Sequence, residues 1–399
     1  MSEASTRPVV RLKPKVPGRK FRNGVPWAYQ DEVVWDRRTR AIPPGTLVTL
    51  EDGERKPIAA AVVNPNSKLS VRLMDLDLSA DLGRDWLQTR ISAALALREV
   101  IYGAPFYRLI NAEADGLPGV IVDRFGDALV LQANAAWAEM RIDALVDVLA
   151  DTTGCSSIYK NSASRTRALE GLDGASAFVR GGVDGPIAVQ MNGATYFADL
   201  EHGQKTGLFY DQRENQAFAA RFAKGRTVAD VFSHVGGFGL AALAAGAASV
   251  VAVDQSQAAL DHATRGASEM GFGEEFEAVQ SDAVKALKSF AEEDKTFGLT
   301  VCDPPAFAPT RATAEAGLRG YRTVAEAGAR VTEKSGFLVL CSCSQSVAMS
   351  DFRTACLTGI ARAGRVAQLL HTGSAGPDHP LHPYLADAAY LKALFFRLD

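Results

Sequence analysis

Apolar and polar positions change their spacing along the chain, and each spacing predicts a different kind of element. The first segment has short β-type runs between Gly, Asn and Pro turns, the clearest at 47–50, followed by runs at 58–63 and 69–73. Short runs of this kind predict a small β-barrel that ends near Asp77. We therefore assign a first, β-type domain to residues 1–78.

The next segment mixes helical and strand-like spacing. Apolar side chains recur at helical spacing in 86–95, and a second helical stretch covers 136–149. Strand-like runs at 120–122 and 128–132 lie between the two. This alternation predicts a small α+β domain over residues 79–185.

The last part of the chain alternates strands with helices. It opens with a connecting hairpin within 186–200, which has Asn192-Gly193 as its turn. Predicted strands follow at 227–232, 249–254, 276–280, 299–303, 336–341, 366–370 and 390–397. The runs SVVAV and GFLVLC are almost wholly apolar, which is typical of parallel strands covered on both faces. We predict a doubly wound α/β domain over residues 186–399, with its ligand at the carboxyl ends of the strands.

The composition is that of an ordinary globular protein with several domains. The 399 residues carry a formal net charge of −3, and 22% of them are charged. The longest uncharged stretch, 235–253, consists mostly of Gly and Ala, so we expect no membrane-spanning helix. The first residues lack the apolar run of a secretory signal, and the five cysteines show no metal-type spacing. We therefore expect no metal site, reduced thiols and a cytoplasmic protein.

A run of cations without any acidic residue covers 7–22. Basic clusters supply most of the sequence-independent affinity for nucleic acids, so these side chains are candidate phosphate contacts. A solvated basic tail is the alternative interpretation. The candidate RNA-binding residues are Arg11, Lys13, Lys15, Arg19, Lys20 and Arg22.

A glycine-rich turn follows the predicted strand at 227–232. Gly236-Gly237-Phe238-Gly239 opens an Ala-rich helix, and such a turn lets a nucleotide-like cofactor approach a helix N-terminus. Asp254 closes the next strand, where a carboxylate can accept hydrogen bonds from ribose hydroxyls. Residues 237–242 also match the relaxed dinucleotide fingerprint G-x-G-x-x-A, but residues 233–236 separate it from the strand, which disfavours an oxidoreductase.

Asp303-Pro304-Pro305 and Cys343 follow two later strands. A carboxylate before two prolines lies on a rigid turn, which suits binding the amine of a planar ring. A thiolate at Cys343, on the same side of the sheet, could add to C6 of a pyrimidine and make C5 nucleophilic. A capping aspartate and a packing cysteine are the alternatives. Asp282 is either an adenine contact or the cap of a helix that begins at Ala283.

Together these motifs resemble those of bacterial class I S-adenosylmethionine-dependent 23S rRNA (cytosine-C5)-methyltransferases. The resemblance covers almost the whole chain and rests on GVPW at 24–27, NAEADGLPG at 111–119, GQKTGLFYDQR at 203–213, DVFSHVGGF at 230–238, DPP at 303–305 and SCS at 342–344. It implies an N-terminal PUA domain, a small α+β middle domain and a Rossmann-like methyltransferase domain with a mostly parallel seven-stranded sheet. It also implies S-adenosylmethionine as the cofactor and 23S rRNA or a large-subunit precursor as the partner, and it leaves a homodimer open.

The resemblance further implies roles for single residues, with Asp303 orienting cytosine and Cys343 as the nucleophile. The implied cofactor contacts are Phe232, Ser233 and Gly236 at the methionine end, Asp254 at the ribose, Asp282 at the adenine amine, and Lys205, Asp211 and Arg213 along the pocket wall. Two positions depart from the family pattern. Ala306 stands where Lys commonly follows the prolines, which removes one expected substrate contact, and His234 stands in the glycine motif, where we predict a packing role. No cysteine follows the prolines, so the base that removes the C5 proton is unassigned.

We therefore predict an RNA methyltransferase that forms 5-methylcytosine. A methyltransferase that acts on a guanine nitrogen is one alternative, although it needs no thiol. A non-catalytic rRNA-binding assembly factor that keeps the cofactor pocket is another. A nucleotide-dependent oxidoreductase is the least favoured alternative.

Overall fold

The computed structural model describes residues 7–203 and 207–399. The chain divides into two compact units. The first unit contains residues 7–184 and 380–387, and the second contains residues 185–379 and 388–399. The predicted division into three domains stays a prediction.

The first unit is built on two five-stranded sheets, with the orders β1-β3-β4-β5-β2 and β10-β9-β8-β7-β6. Its strands are β1 (Val9–Arg11), β2 (Trp27–Ala28), β3 (Thr46–Glu51), β4 (Pro57–Val63), β5 (Val71–Asp75), β6 (Phe106–Asn111), β7 (Val120–Phe125), β8 (Ala128–Ala133), β9 (Ser157–Lys160) and β10 (Ala177–Arg180). Its α-helices are α1 (Gly18–Arg22), α2 (Arg37–Arg40), α3 (Arg84–Ile101), α4 (Ala136–Met140), α5 (Ile142–Thr153) and α6 (Arg165–Leu169). The pairs β1–β3 and β8–β9 are parallel.

The first sheet confirms the predicted β-type beginning of the chain. Its core comes from the apolar runs of β3 and β4, in which Val48, Leu50, Ala59 and Ala61 are fully buried. The sheet ends at Asp75, two residues before the predicted end. The pattern of short runs predicted β3, β4 and β5, but it did not predict β1 and β2, which form the two edges of the sheet.

The helical stretch predicted at 136–149 is confirmed as helical, but the structure divides it into two helices, α4 and α5. Arg141 adopts φ −116° and ψ 23°, so its backbone leaves the helical region and separates α4 from α5. Trp137 anchors α4: its ring is fully buried and its indole nitrogen donates to the carbonyl of Pro118 at 2.8 Å. Leu145 and Leu149 bury α5 in the same core.

The second unit contains a seven-stranded sheet with the order β15-β14-β13-β16-β17-β19-β18. Its strands are β11 (Ile187–Met191), β12 (Ala194–Ala198), β13 (Thr227–Val231), β14 (Ser249–Asp254), β15 (Phe276–Gln280), β16 (Phe297–Cys302), β17 (Thr332–Ser342), β18 (Ala367–Gly373) and β19 (Lys392–Leu398), of which β11 and β12 form the predicted hairpin. Its α-helices are α7 (Arg213–Ala220), α8 (Gly237–Ala244), α9 (Gln257–Glu269), α10 (Ala283–Glu292), α11 (Ala314–Val331) and α12 (Met349–Arg362).

This sheet is Rossmann-like, and its topology fixes where a ligand can bind. Strands β15, β14, β13, β16 and β17 are parallel neighbours, and β19 runs antiparallel between β17 and β18. From β13 the chain first adds β14 and β15 on one side and then adds β16 and β17 on the other. This change of direction places a crevice at the carboxyl ends of β13, β14 and β16. The sequence predicted these strands, but β17 is longer than expected and reaches Ser342. None of the helices in the described ranges is long and apolar enough to cross a membrane.

Candidate functional site

A cavity of about 740 Å³ opens at the carboxyl ends of the central strands of the second unit. It brings together residues from Leu208 to Leu391, because parallel strands end at the same edge of the sheet. Of the residues predicted for the site, the structure places these in the cavity wall: Asp211, Phe232, Ser233, Asp254, Asp282, Asp303 and Cys343. Gly236, also predicted for the site, lies outside the cavity wall, next to Gly237, which lines it.

The turn between β13 and α8 forms the floor of the cavity. Phe232 and His234 adopt positive φ values of 63° and 50°, and Gly236, the N-cap of α8, adopts 81°. Left-handed backbone costs a non-glycine residue about 1–2 kcal/mol, and such strain concentrates at functional sites. A Cβ on Gly236 would lie 3.0 Å from Cγ of Leu240, so glycine is needed there for packing as well as for backbone conformation. The His234 ring lies 5.0 Å from the Phe209 ring, in agreement with its predicted packing role.

Asp254 holds this turn in place. Its Oδ2 accepts a hydrogen bond from the backbone N–H of His234 at 2.8 Å, and its Oδ1 accepts one from Ser256 at 2.9 Å. Each carboxylate oxygen has a second lone pair, so the side chain can still accept from the hydroxyls of a ligand in the cavity. The predicted ribose contact stays a prediction that this geometry allows.

Asp282 caps a helix, as one of its two predicted roles requires, and it also lines the cavity, where it could contact adenine. Its Oδ1 accepts a hydrogen bond from the backbone N–H of Lys285 at 2.9 Å, so it is the N-cap of α10. The exposed side chain also lines the cavity, where its Oδ2 lies 3.3 Å from Nε2 of Gln255. Capping and ligand binding are therefore compatible at this position.

The three contacts predicted in the segment at 203–213 differ in where the structure places them. Asp211 lines the cavity and its Oδ2 accepts from the hydroxyl of Tyr390 at 2.6 Å. Arg213 is buried at the start of α7, outside the cavity wall, and its carbonyl accepts from Nδ2 of Asn192 at 2.9 Å. Lys205 lies outside the described residues. Of these three predicted polar contacts, Asp211 is the one that the structure places in the cavity.

Two buried polar atoms beside the cavity lack a partner in the described part of the chain. They are Oγ of Ser233 and Oε1 of Gln216, and both residues line the cavity. Buried polar groups in native proteins are almost always hydrogen-bonded, so these atoms are available to a bound molecule. Together with the carboxylates of Asp254 and Asp282, they fit a cofactor that carries amine and hydroxyl groups.

Asp230 supports the glycine turn from below. It is fully buried near the end of β13, and its Oδ2 accepts from the backbone N–H of Gly239 at 2.7 Å. Burial raises the pKa of its carboxyl to about 7, despite the opposing hydrogen bond from Gly239. The side chain therefore links the central strand to the first turn of α8.

Asp303 is positioned by a residue for which the sequence analysis had no role. Nε2 of Gln212 donates to Oδ1 of Asp303 at 2.9 Å, and Oε1 of Gln212 accepts from Nδ2 of Asn215 at 2.6 Å. Gln212 also lines the cavity. It belongs to the segment at 203–213, but nothing in the sequence indicated that its amide would meet the turn after β16.

Cys343 differs from the other cysteines in its exposure. It is partly exposed and lines the cavity, whereas Cys155, Cys302, Cys341 and Cys356 are buried. Burial raises the pKa of each of these four buried thiols. The core role predicted for the four is confirmed, and Cys343 is the thiol that a ligand in the cavity can reach.

The loop that carries Cys343 is fixed by a buried hydroxyl network. Oγ of Ser342 donates to the hydroxyl of Tyr321 at 2.8 Å, and that hydroxyl lies 2.7 Å from Oγ of Ser344. The same Oγ of Ser344 accepts from the backbone N–H of Ala308 at 3.1 Å. These bonds connect the Cys343 loop to the loop that follows Asp303-Pro304-Pro305.

In the basic segment 7–22 of the first unit, some cations are already paired with carboxylates. Three of its cations form ion pairs with acidic residues from elsewhere in that unit: Arg11 with Glu51 at 3.0 Å, Lys20 with Glu32, and Arg22 with Asp52 at 2.6 Å. Within the described ranges, the exposed side chains of Lys13, Lys15 and Arg19 form no ion pair. Candidate phosphate contacts are therefore of two kinds, paired and unpaired.

Comparison with known proteins agrees with this geometry. A family model described as "S-adenosylmethionine-dependent methyltransferase" matches residues 143–397, and one described as "PUA-like domain" matches residues 10–76. A ribosomal RNA large subunit methyltransferase I from Shewanella amazonensis is 35% identical over 83% of this chain and 85% of its own length. A ribosomal RNA large subunit methyltransferase from Deinococcus radiodurans is 32% identical over 99% of both chains.

Solved structures share the fold at lower identity. A proposed SAM-dependent methyltransferase from Streptococcus mutans has a TM-score of 0.80 and 18% identity, over 98% of this chain and 100% of its own. A proposed methyltransferase complexed with SAH has a TM-score of 0.81, the same identity and the same coverage.

Proposed function

Because the chain belongs to the family of S-adenosylmethionine-dependent methyltransferases, we propose that it methylates cytosine C5 in the RNA of the large ribosomal subunit. One observation carries the choice of cytosine C5: Cys343, the partly exposed thiol, lines the same cavity as Asp303. The choice of large-subunit RNA rests on the names of two relatives, which cover 83% and 99% of this chain.

The cofactor is S-adenosylmethionine, and the cavity residues fit it. We assign the methionine end to the turn at Phe232, Ser233 and Gly236, the ribose to Asp254 and the adenine amine to Asp282. The unpartnered Oγ of Ser233 supports this assignment, because a buried hydroxyl next to the cavity requires a partner. When bound, the cofactor supplies an electrophilic methyl group. Asp211 adds a carboxylate to the cavity wall, whereas the roles of Arg213 and Lys205 stay predictions.

The thiolate of Cys343 would add to C6 of cytosine, which makes C5 nucleophilic toward the methyl group. Asp303 would accept a hydrogen bond from the exocyclic amine and hold the ring, and Gln212 fixes the Asp303 carboxylate through its 2.9 Å hydrogen bond. Loss of the C5 proton and release of Cys343 would then restore the ring. The target base must leave its stack to reach this cavity.

Phosphate contacts of the basic segment would position the RNA. Lys13, Lys15 and Arg19 are the strongest candidates, since they are exposed and form no ion pair in the described chain. Arg11, Lys20 and Arg22 can also contact phosphates, but there a phosphate would have to compete with the carboxylate that is already paired with the cation. RNA affinity therefore depends on some cations of this segment more than on others.

Two alternatives keep the fold and the cofactor. Methylation of a guanine nitrogen requires no thiol, so it leaves the exposure of Cys343 unexplained. A non-catalytic assembly factor would bind rRNA without turnover. The oxidoreductase alternative is dropped, because the family and the fit of the cavity both indicate S-adenosylmethionine.

The test is nucleoside mass spectrometry of rRNA incubated with the protein and methyl-labelled S-adenosylmethionine. We expect label in 5-methylcytidine, and we expect Cys343→Ala to abolish it while the cofactor still binds. Cys356→Ala is the matched control, because Cys356 is a buried thiol on α12 that does not line the cavity. Label in a methylguanosine, or full turnover by Cys343→Ala, would refute the thiol mechanism. Unlabelled RNA together with normal cofactor binding would favour the assembly factor.

A further inference from the structure

Lys392 is a buried cation next to the loop that carries Cys343. It begins β19, opposite Ser342 in the antiparallel pair β17–β19, and only 5% of the residue is exposed. Its Nζ donates to the carbonyl of Ser344 at 3.0 Å and to the carbonyl of Tyr390 at 2.9 Å. The ammonium is thereby held against the segment 342–344, in which Cys343 is the central residue.

In the part of the chain that the structure describes, the charge of Lys392 has no carboxylate partner. Within the described chain, no Asp or Glu oxygen lies within 4.0 Å of its Nζ. A buried ammonium that has only neutral acceptors has lost hydration without gaining a counter-charge, which is costly in a protein interior. Burial accordingly lowers the pKa of Lys392, and the neighbouring Cys343 acts in the opposite direction.

In the described chain, three other titratable groups that interact with Cys343 or share its cavity carry no positive charge. Asp303 shares the cavity wall and carries the same sign as a thiolate. Tyr321 and Cys341 are buried, and burial raises the pKa of both. Lys392 is therefore the cation that the described residues place beside this thiol.

We propose that the ammonium of Lys392 stabilises the thiolate of Cys343, which makes Lys392 a positioning residue for the attack on the substrate base. The thiol loses its proton to solvent, Lys392 keeps its three protons, and no other bond changes. The charge of Lys392 offsets the repulsion between the thiolate and Asp303. The consequence for turnover rests on the proposed function, but the thiol–ammonium pair does not.

The test is the pH dependence of Cys343 alkylation by iodoacetamide, followed by peptide mass spectrometry without RNA or cofactor. We expect a midpoint at least one pH unit below the ordinary thiol value of about 8.5 in the wild type. Lys392→Met should raise that midpoint by one unit or more. Turnover at pH 7 should then fall about tenfold and recover at higher pH, with an unchanged KM for RNA, because one unit of thiol pKa changes the thiolate fraction about tenfold.

Lys334→Met is the matched control, since it makes the same change at an exposed lysine of β17 and should not move the midpoint. If Lys392→Met does not fold, the thiolate absorbance of the wild type minus that of Cys343→Ser gives the midpoint without a lysine variant. An ordinary wild-type midpoint, or a Lys392→Met midpoint equal to the wild type, overturns the proposal. A shifted alkylation midpoint combined with full turnover by Cys343→Ala supports the pair and refutes the proposed function instead.

Discussion

Asp230 and Asp303 lie at the ends of neighbouring strands, yet their surroundings give them different properties. Asp230 is fully buried and bonded to a backbone N–H of α8, and burial raises its pKa to about 7. Asp303 is partly exposed, lines the cavity and is bonded to the amide of Gln212. At the residue scale, the first carboxyl group therefore supports the structure of the turn, and the second is available to a ligand.

The raised pKa of Asp230 predicts how stability changes with pH. An unfolded aspartate has a pKa of about 3.9, so above that pH the unfolded state releases its proton while the native state keeps it. The free energy of unfolding should therefore fall as pH rises from about 4 to about 7, by up to roughly 4 kcal/mol, and then level off. Urea unfolding of the wild type and Asp230→Asn at several pH values measures this.

Asp230→Asn keeps an acceptor for the Gly239 N–H but cannot titrate, so its pH dependence should be flatter. Asp261→Asn, at an exposed position on α9, is the control and should follow the wild type. Parallel pH curves for Asp230→Asn and the wild type would contradict the prediction.

At the scale of elements, the turn from β13 to α8 decides the shape of the cofactor site. Three of its residues have positive φ, and the backbone N–H of His234 is held by the Asp254 carboxylate of the next strand. Gly236 packs against Leu240 and Ala263, which leaves no room for a Cβ. The turn is therefore stabilised from both neighbouring elements, and its conformation depends on glycine at one position.

Gly236→Ala should weaken S-adenosylmethionine binding at least tenfold. The new Cβ would lie 3.0 Å from Leu240 Cγ and 3.1 Å from Ala263 Cβ, on a backbone with φ 81°. Isothermal titration of the cofactor measures the effect, together with the melting temperature.

Gly246→Ala is a matched control for this variant. Its φ is 90°, but a Cβ there would meet nothing closer than 3.8 Å, and the residue lies beyond the other end of α8. It should lower the melting temperature while cofactor affinity stays the same. Equal loss of affinity in both variants would show that the effect is general destabilisation.

At the scale of the whole molecule, the net charge of −3 conceals local differences. The basic segment 7–22 contains no acidic residue, but folding brings Glu32, Glu51 and Asp52 next to three of its cations. Of the other four cations, Arg7 donates to backbone carbonyls at 78–80, whereas Lys13, Lys15 and Arg19 are exposed and form no ion pair in the described ranges. Surface charge that is already paired gains little from a phosphate, whereas unpaired charge contributes fully to RNA affinity.

Replacing Lys13, Lys15 and Arg19 with Gln should weaken RNA binding and reduce its salt dependence. Each lost phosphate contact should lower the slope of log K against log salt by about 0.7–0.9. The matched variant replaces Arg11, Lys20 and Arg22 with Gln, and it should have the smaller effect on affinity and the larger effect on stability. Fluorescence anisotropy with an rRNA fragment, at several salt concentrations, distinguishes the two. Equal affinity losses would remove the distinction between paired and unpaired cations.

The sequence by itself determined the order of the elements and most of the candidate chemistry. The apolar runs SVVAV of β14 and GFLVLC of β17 predicted parallel strands, since strands covered on both faces lack polar alternation. Asp254 ends a strand, and Asp303 and Cys343 each follow one, so their positions indicated the edge of the sheet where the parallel strands end. These features depend on spacing along the chain, which a sequence records directly.

Only the tertiary structure decided which side chains meet. Gln212 contacts Asp303 across 91 residues and Lys392 contacts Ser344 across 48, and no local pattern encodes either pair. The break at Arg141, the burial of Arg213 and the ion pairs of the basic segment likewise depend on neighbours that folding supplies. Hydrogen bonds and charge pairs between distant segments follow from the packing of whole elements, so they become visible only when the chain is folded.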